Sequence, residues 1–235
     1  MLKVTKFGGS SMADAGQYRK VRDIILADPA RKVVVVSAAG KRFKEDHKLT
    51  DLLYLCHAHT QYGVDCTPIF DMITSRYLEI RDELELNLDL ESEFAALKAR
   101  LDKKRVTQDE LVSRGEYFSA KLMAAYLGYN FVDAPDWIKF NMDGTVNQAE
   151  SYEAFRDAAA GQGVVTPGFY APCEGTVSAR NDGKLCFYVR GASDAWLEAN
   201  TAESWGEGIV TNPVAVDEIH AWLKNYPDCF LAAIR

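Results

Sequence analysis

Apolar residues in this chain fall into short clusters whose spacing changes from strand-like to helix-like and back. Val4 to Phe7 reads as a short strand running into Gly8-Gly-Ser-Ser11. From Asp14 to Ala27 the spacing becomes helical, with Val21, Ile24 and Ile25 on one face and Asp28-Pro29 as the stop. Lys32 to Ser37 holds four consecutive valines, the continuous β-branched run of a strand buried in a parallel sheet. Leu49 to Leu127 is almost wholly helical in pattern. Helices are expected from Thr50, over Ile69–Leu84, over Glu91–Leu101 and over Gln108–Leu127. Asn130 to Ala134 reads as a strand returning to the sheet, and Ser151 to Ala160 as a helix that breaks at Gly161–Gly163. Gly168 to Val189 suggests short strands with a hairpin at Asn181-Asp-Gly183. Further helices are expected from Ser193 to about Ala202 and from Val214 to Asn225. The strand–helix–strand opening, without an internal repeat or a low-complexity linker, predicts one α/β domain over residues 1–235. Its central sheet should be mostly parallel, with helices on both faces.

Composition changes this picture little. The 235 residues are 48% hydrophobic and 26% charged, with a formal net charge of −7. A chain of this size buries a substantial core. The acidic balance and the lack of a long basic run argue against nucleic acid as the main partner. No stretch reads as a signal peptide or a membrane span. The five cysteines are odd in number and scattered, which suits free thiols in a cytoplasmic protein. His47, His57 and His59 lack the further ligands of a zinc pattern, so no metal site is expected from them.

Chemistry is concentrated at strand ends. Strand, glycine turn and helix form an arrangement that holds phosphate. Glycine lets the backbone approach an anion, and helix-start N–H groups point toward it. Lys6 places a positive charge beside the Gly8-Gly9-Ser10 turn. The turn by itself is equally compatible with plain structure. Ser37 to Gly40 stands at a second strand end, where ligands of open α/β sheets gather.

Several segments then match one family in order. They are Lys3-Val-Thr-Lys-Phe-Gly-Gly-Ser-Ser11, Val33-Val-Val-Val-Ser-Ala-Ala-Gly40 and Lys48-Leu-Thr-Asp-Leu-Leu-Tyr54. Ser113-Arg-Gly-Glu-Tyr-Phe-Ser119, Val164-Val-Thr-Pro-Gly-Phe169 and Arg190-Gly-Ala-Ser-Asp194 follow. The chain resembles aspartokinases of the amino acid kinase family, closely to about Phe140 and in patches to Pro213. The resemblance implies transfer of the ATP γ-phosphoryl group to the side-chain carboxylate of L-aspartate, within amino-acid and lysine biosynthesis. Mg²⁺ would arrive with the nucleotide. It assigns Lys6 and Asp194 to catalysis. Lys6, Gly8, Gly9, Ser10, Ser37 and Gly208 fall on the phosphate and nucleotide side. Thr50, Glu116, Arg190 and Ser193 fall on the substrate side, with Glu116 meeting the amino group of aspartate and Arg190 a carboxylate. Residue by residue, other roles exist: Lys6 as a surface lysine, Thr50 and Asp194 as helix caps, Glu116 as an exposed helical glutamate. A homodimer is compatible with the resemblance. Regulatory ACT domains, which follow the catalytic part in this family, are not among these residues.

The chain departs from the family in three places. Ala192 stands where a second glycine is usual, and Val189 where a small or polar residue is usual. The Trp205-Gly-Glu-Gly-Ile-Val-Thr-Asn-Pro213 segment lacks the acidic positions of the family's longer nucleotide element. Thr166 to Leu185 is longer than the family's hairpin. These departures keep two alternatives open. One is a non-catalytic homologue that binds a ligand or partner; the other is a kinase of another small carboxylate or carbamate.

Overall fold

The computed structural model describes residues 2–139, 146–159 and 163–168, with the backbone of three strands at 176–179, 185–188 and 231–233. Four short strands build the first sheet: β1 (Lys3–Phe7), β2 (Arg31–Val36), β3 (Asn130–Phe131) and β4 (Val164–Pro167). Their order is β1-β2-β4-β3, and every neighbouring pair is parallel. Val4 pairs with Val33 and Phe7 with Val36, and Val33 to Val36 pair in turn with Val164 to Pro167. Because all four strands point the same way, their C-terminal ends share one edge of the sheet. The valine run is continuous because β2 is an inner strand. Val34 and Val36 belong to the helix-packed core on one face, and Val33 is also buried on the other.

The expected strands after Lys3, Lys32 and Asn130 are all in this sheet. β4, which the pattern did not mark as a strand, is inserted between β2 and β3. Four residues are too few for periodicity to register. Both Val164 and Val165 are fully buried, which is the signal they carried.

Helices α1 (Ala15–Leu26), α2 (Leu49–Gln61), α3 (Thr67–Glu83), α4 (Leu90–Asp102) and α5 (Gln108–Leu127) follow the sequence pattern closely. Local chemistry sets their ends. Asp14 accepts a hydrogen bond from the Gln17 amide at 2.9 Å, and Thr107 accepts one from Glu110. Gly128 closes α5 at φ 68°, a left-handed conformation that favours glycine. One difference lies at the start. A short 3-10 turn over Gly9–Met12 separates the glycine turn from α1. Another is Ile24, which is 49% exposed; the buried stripe of α1 is Tyr18, Val21 and Ile25.

The core between the helices is aromatic. Phe94 packs on Phe118 at 4.5 Å between ring centroids, and Phe118 on Tyr77 at 5.6 Å. Burial pushes the Tyr18 and Tyr77 hydroxyls far above the ordinary tyrosine range, so both act as neutral donors. Tyr18 donates to the Ser119 carbonyl at 3.2 Å, and Tyr77 to the Gly115 carbonyl at 2.6 Å. Each bond ties a different helix to α5. Burial also pushes the Cys56 thiol up to about 12, which makes it a packing residue rather than a nucleophile.

A short helix α6 (Ala134–Trp137) follows β3, and α7 (Gln148–Ala158) precedes β4. The Trp137 indole donates to Thr166 Oγ1 at 3.1 Å, and its ring lies 4.8 Å from that of Phe155 at a tilt of 60°. Thr166 and Val165 alternate along β4, so Trp137 meets the face opposite the α5-packed core.

The chain divides into two compact units, Met1–Trp137 with Ala154–Tyr170, and Ile138–Glu153 with Ala171–Arg235. In the second, β5 (Thr176–Ala179) and β6 (Leu185–Tyr188) are antiparallel and β7 (Leu231–Ala233) runs parallel to β6. The β5–β6 pair agrees with the expected hairpin. The turn at 181–183 and the helices expected from Ser193 and Val214 lie outside the described residues. Among the described residues, no helix is long and apolar enough to cross a membrane.

Gly115 gives a direct test of this packing. A Cβ built there would lie 2.8 Å from Ala38 Cβ and 3.0 Å from Leu53 Cδ1. Alanine improves helix propensity by about 1 kcal/mol in a helix interior. Overpacking against a neighbour that cannot swing aside costs about 1–3 kcal/mol. Gly115→Ala should therefore lower the urea midpoint of unfolding; a higher midpoint would show that α5 and the Ala38 loop are not in contact.

Candidate functional site

The shared C-terminal edge of β1, β2 and β4 brings three backbone segments together. After β1, the chain turns through Gly8 and Gly9. After β2, it runs through Ser37-Ala-Ala-Gly40 beside that turn. The Ser37 amide donates to the Phe7 carbonyl at 3.0 Å, and the Gly40 amide to the Gly9 carbonyl at 2.8 Å. Contact is backbone to backbone. A Cβ on Gly9 would lie 2.9 Å from the Ala38 carbonyl oxygen, and one on Gly40 would lie 2.6 Å from Gly9 C. Glycine is required at both positions because there is no room for a side chain. Gly8 differs. Its φ of −79° suits any residue, and a Cβ there would meet nothing within 4 Å among the described residues. The fold does not demand glycine at this point, and among the described residues the space above it is open.

Glu116 comes from α5 and reaches the same edge. A Cβ on Gly168, just after β4, would lie 3.5 Å from Glu116 Oε2 and 2.9 Å from Val35 Cγ1. The chain after β4 thus passes close to the carboxylate because it has no side chain there. Oε2 is buried and has no hydrogen-bond partner among the described residues. Burial pushes the Glu116 carboxyl above the usual carboxylate range. The Gly168 amide, the Lys6 charge and the Ala38 amide pull the other way, in that order, and do not fully offset it. A buried acceptor without a donor is costly, and such atoms call for an explanation.

Lys6 is exposed and close enough for its charge to be felt at Glu116. Thr50 is the second residue of α2, half-buried. The cap position belongs to Lys48, which makes no side-chain cap bond, so the hydroxyl of Thr50 is not used as a helix cap. The Leu49 amide donates to the Ala39 carbonyl at 3.2 Å, which seats the start of α2 on the loop after β2. The structure therefore gathers Lys6, Gly8, Gly9, Ser10, Ser37, Thr50 and Glu116 around one edge of the sheet. Arg190, Ser193, Asp194 and Gly208 lie outside the described residues.

Sequence reasoning did not single out Gly168 as a site residue, although it stood within a matched segment. Its signal was a Pro-Gly pair directly after an apolar run. Nor did it single out Arg76 and Asp46, which form a buried ion pair under the loop after β2. Arg76 Nη2 lies 2.8 Å from both carboxylate oxygens of Asp46. Burial works to raise Asp46, but hydrogen bonds from Arg42 and the charge of Arg76 hold it well below the usual carboxylate range. Burial lowers Arg76, yet a guanidinium starting above 12 stays charged. No short-range motif marks such a pair, because its members are brought together by the α2–α3 packing.

The strain at Glu116 has a measurable sign. An acid with a raised folded-state pKa gives its full contribution to stability below the unfolded value of about 4.3. That contribution is lost as pH rises through the folded value. Glu116→Gln removes the buried charge and keeps the shape. It should raise the thermal midpoint at pH 7, with the gain shrinking as pH falls through the raised folded-state value and gone below about 4. A lower midpoint at pH 7 would mean that the carboxylate is well solvated.

Known proteins resemble this chain in both sequence and fold. The model of the amino acid kinase family matches residues 1–195. Aspartokinase 3 of Bacillus subtilis is 38% identical over 138 residues, covering 57% of this chain and 30% of that protein. The chloroplastic aspartokinase 1 of Arabidopsis thaliana is 34% identical over 151 residues, covering 59% and 26%. Among solved structures, the Clostridium acetobutylicum aspartate kinase superposes with a TM-score of 0.69 at 37% identity, covering 78% of this chain and 41% of that one. The fold is shared with E. coli aspartokinase III in complex with aspartate and ADP, at a TM-score of 0.59 and 22% identity, covering 79% and 43%. The chain spans less than half the length of each of these proteins. A parallel sheet with two interlocking glycine turns and a family match over most of the sequence place this chain in the amino acid kinase family.

Proposed function

We propose that this protein is an aspartate kinase-like phosphotransferase, moving the ATP γ-phosphoryl group to the side-chain carboxylate of L-aspartate. The observation that carries the reading is the half-buried Glu116 carboxylate within reach of the Lys6 charge, whose buried Oε2 has no hydrogen-bond partner among the described residues. A carboxylate oxygen left without a donor suits an ammonium ligand, which brings charge-assisted hydrogen bonds and a compensating charge. The open space over Gly8 and the nearby Lys6 suit an anion. Together they describe a ligand pair with an amino group at one end and a phosphoryl group at the other.

Little covalent chemistry falls to the protein in such a transfer. The acceptor carboxylate and the γ-phosphate repel each other and must be aligned. Lys6 would offset charge spread over the transferring oxygens, and Glu116 would hold the amino group of the acceptor. In this reading Thr50 would bond the acceptor and Ser37 the phosphates. Arg190, Ser193 and Asp194 complete the set in this reading, with Gly208 on the nucleotide side. Magnesium would be carried by the nucleotide phosphates. Among the described residues, no group of three His, Cys, Asp or Glu gathers to hold a metal by itself. The same reading takes residues 1–235 as one amino acid kinase-like domain, cytoplasmic, with a homodimer as the assembly to test.

Turnover of MgATP with aspartate, followed by ADP release, tests the reading directly. Lys6→Ala should lower kcat by roughly 10²–10³-fold, the scale for one electrostatic donor, with little change in the KM for aspartate. Glu116→Ala should act mainly on that KM. Unchanged turnover in folded Lys6→Ala would remove Lys6 from the mechanism. The shortened Trp205–Pro213 segment predicts weaker ATP binding than in a protein with the full nucleotide element, while tripolyphosphate binding at the glycine turn persists. Calorimetry with each ligand decides this; tight ATP binding with no tripolyphosphate binding would contradict it.

A further inference from the structure

Arg76 lies on α3, an element that holds none of the residues assigned to the cleft, yet its guanidinium reaches the cleft's backbone. Arg76 is 5% exposed. Its Nη1 donates to the Gly40 carbonyl at 3.1 Å, while Nη2 grips both oxygens of Asp46. Asp46 also accepts from the Arg42 amide at 2.9 Å and from Arg42 Nε at 3.0 Å, and Arg42 Nη1 reaches Glu79 at 3.0 Å. Residues 41–48 are thus folded back onto α3 by one ionic network. Gly40 sits at the end of that network and is held on both sides. Its carbonyl is bound by Arg76, and its amide binds the Gly9 carbonyl. The Gly9 carbonyl and the Ser10 amide belong to one rigid planar peptide unit. Fixing the first fixes the direction of the second. The space for movement is small, since a Cβ on Gly40 would lie 2.9 Å from the Ser10 nitrogen.

We propose that Arg76, with Asp46 as its counter-ion, is a positioning residue for the glycine turn: through Gly40 it sets the orientation of the Gly9–Ser10 peptide toward the phosphoryl group. The inference rests on the reading of Lys6 to Ser10 as the phosphate side. A planar fork is needed because two acceptors, a carboxylate and a carbonyl, must be held at once. Lysine keeps the charge but cannot present that fork. A misplacement of about 1 Å in a transfer site costs on the order of a hundredfold in rate, so a small loss of hold at Gly40 is amplified.

The test uses the full chain and three variants. Arg76→Lys breaks the fork. Asp46→Asn keeps Arg76 but weakens its anchor, and serves if Arg76→Lys fails to fold. Ile80→Val, a buried position on the same helix, controls for general weakening of α3. Amide exchange is measured over residues 5–12, alongside kcat and KM with MgATP and aspartate. Arg76→Lys, or Asp46→Asn to a smaller degree, should speed exchange over residues 5–12 roughly tenfold, and lower kcat about tenfold with acceptor KM within about twofold. Ile80→Val should leave exchange over residues 5–12 unchanged. Normal exchange over residues 5–12 in a variant whose residues 40–48 exchange faster would overturn the proposal. If the unaltered protein shows no turnover but Arg76→Lys still frees residues 5–12, the kinase reading fails and the positioning role stands.

Discussion

The close approach of two backbone turns, Gly8–Gly9 after β1 and Ser37–Gly40 after β2, is the constraint on which the rest of the site depends. Side chains are excluded from the contact on both sides, at Gly9 by the Ala38 carbonyl and at Gly40 by Gly9 itself. Parallel pairing of β1 with β2 brings the two turns to the same edge, and the Gly40–Gly9 hydrogen bond locks them. α5 then packs against the second turn through Gly115, again where a side chain would collide, with Ala38. Glycine at three distant positions is thus one requirement, met three times: backbone must lie on backbone or on a methyl group for the edge to close.

Glu116 follows from that closure. It stands one residue after Gly115, so the same contact that seats α5 on the Ala38 loop carries the carboxylate into the edge. There its Oε2 loses water without gaining a donor among the described residues. Natural proteins hold such unfavourable groups where a ligand completes them, and strain is compensated elsewhere in the fold. The compensation here is visible behind the site. Tyr77 bonds Gly115 and Arg76 bonds Gly40, so these neighbours on α3 brace α5 and the turn after β2. Stability and function meet in this arrangement: the helices make a well-packed aromatic core, and the edge they support is left incomplete.

The two halves of the sequence were unequally legible. Residues 3 to 131 carry strong local signals: a valine run, apolar stripes of helical spacing, and caps at Asp14, Asp89, Thr107 and Gly128. Their elements lie within a few residues of the expected bounds. β4 was missed as a strand because its four residues show no period, although it occupies the middle of the sheet. Ile24 was placed on the buried face because neighbouring isoleucines on a helix cannot be ranked by type alone; packing selected Ile25.

Thr50 and Glu116 were marked by the family resemblance. By itself, the sequence determined the order of elements, the parallel α/β class and the glycine turns, one with Lys6 beside it. These are local properties, written in spacing and in residue type. Only the tertiary structure decided that β4 separates β2 from β3, that Glu116 Oε2 is buried without a hydrogen-bond partner among the described residues, and that Arg76 reaches Gly40. Each of those depends on segments 30 to 130 residues apart meeting in space, and no window along the chain contains both partners.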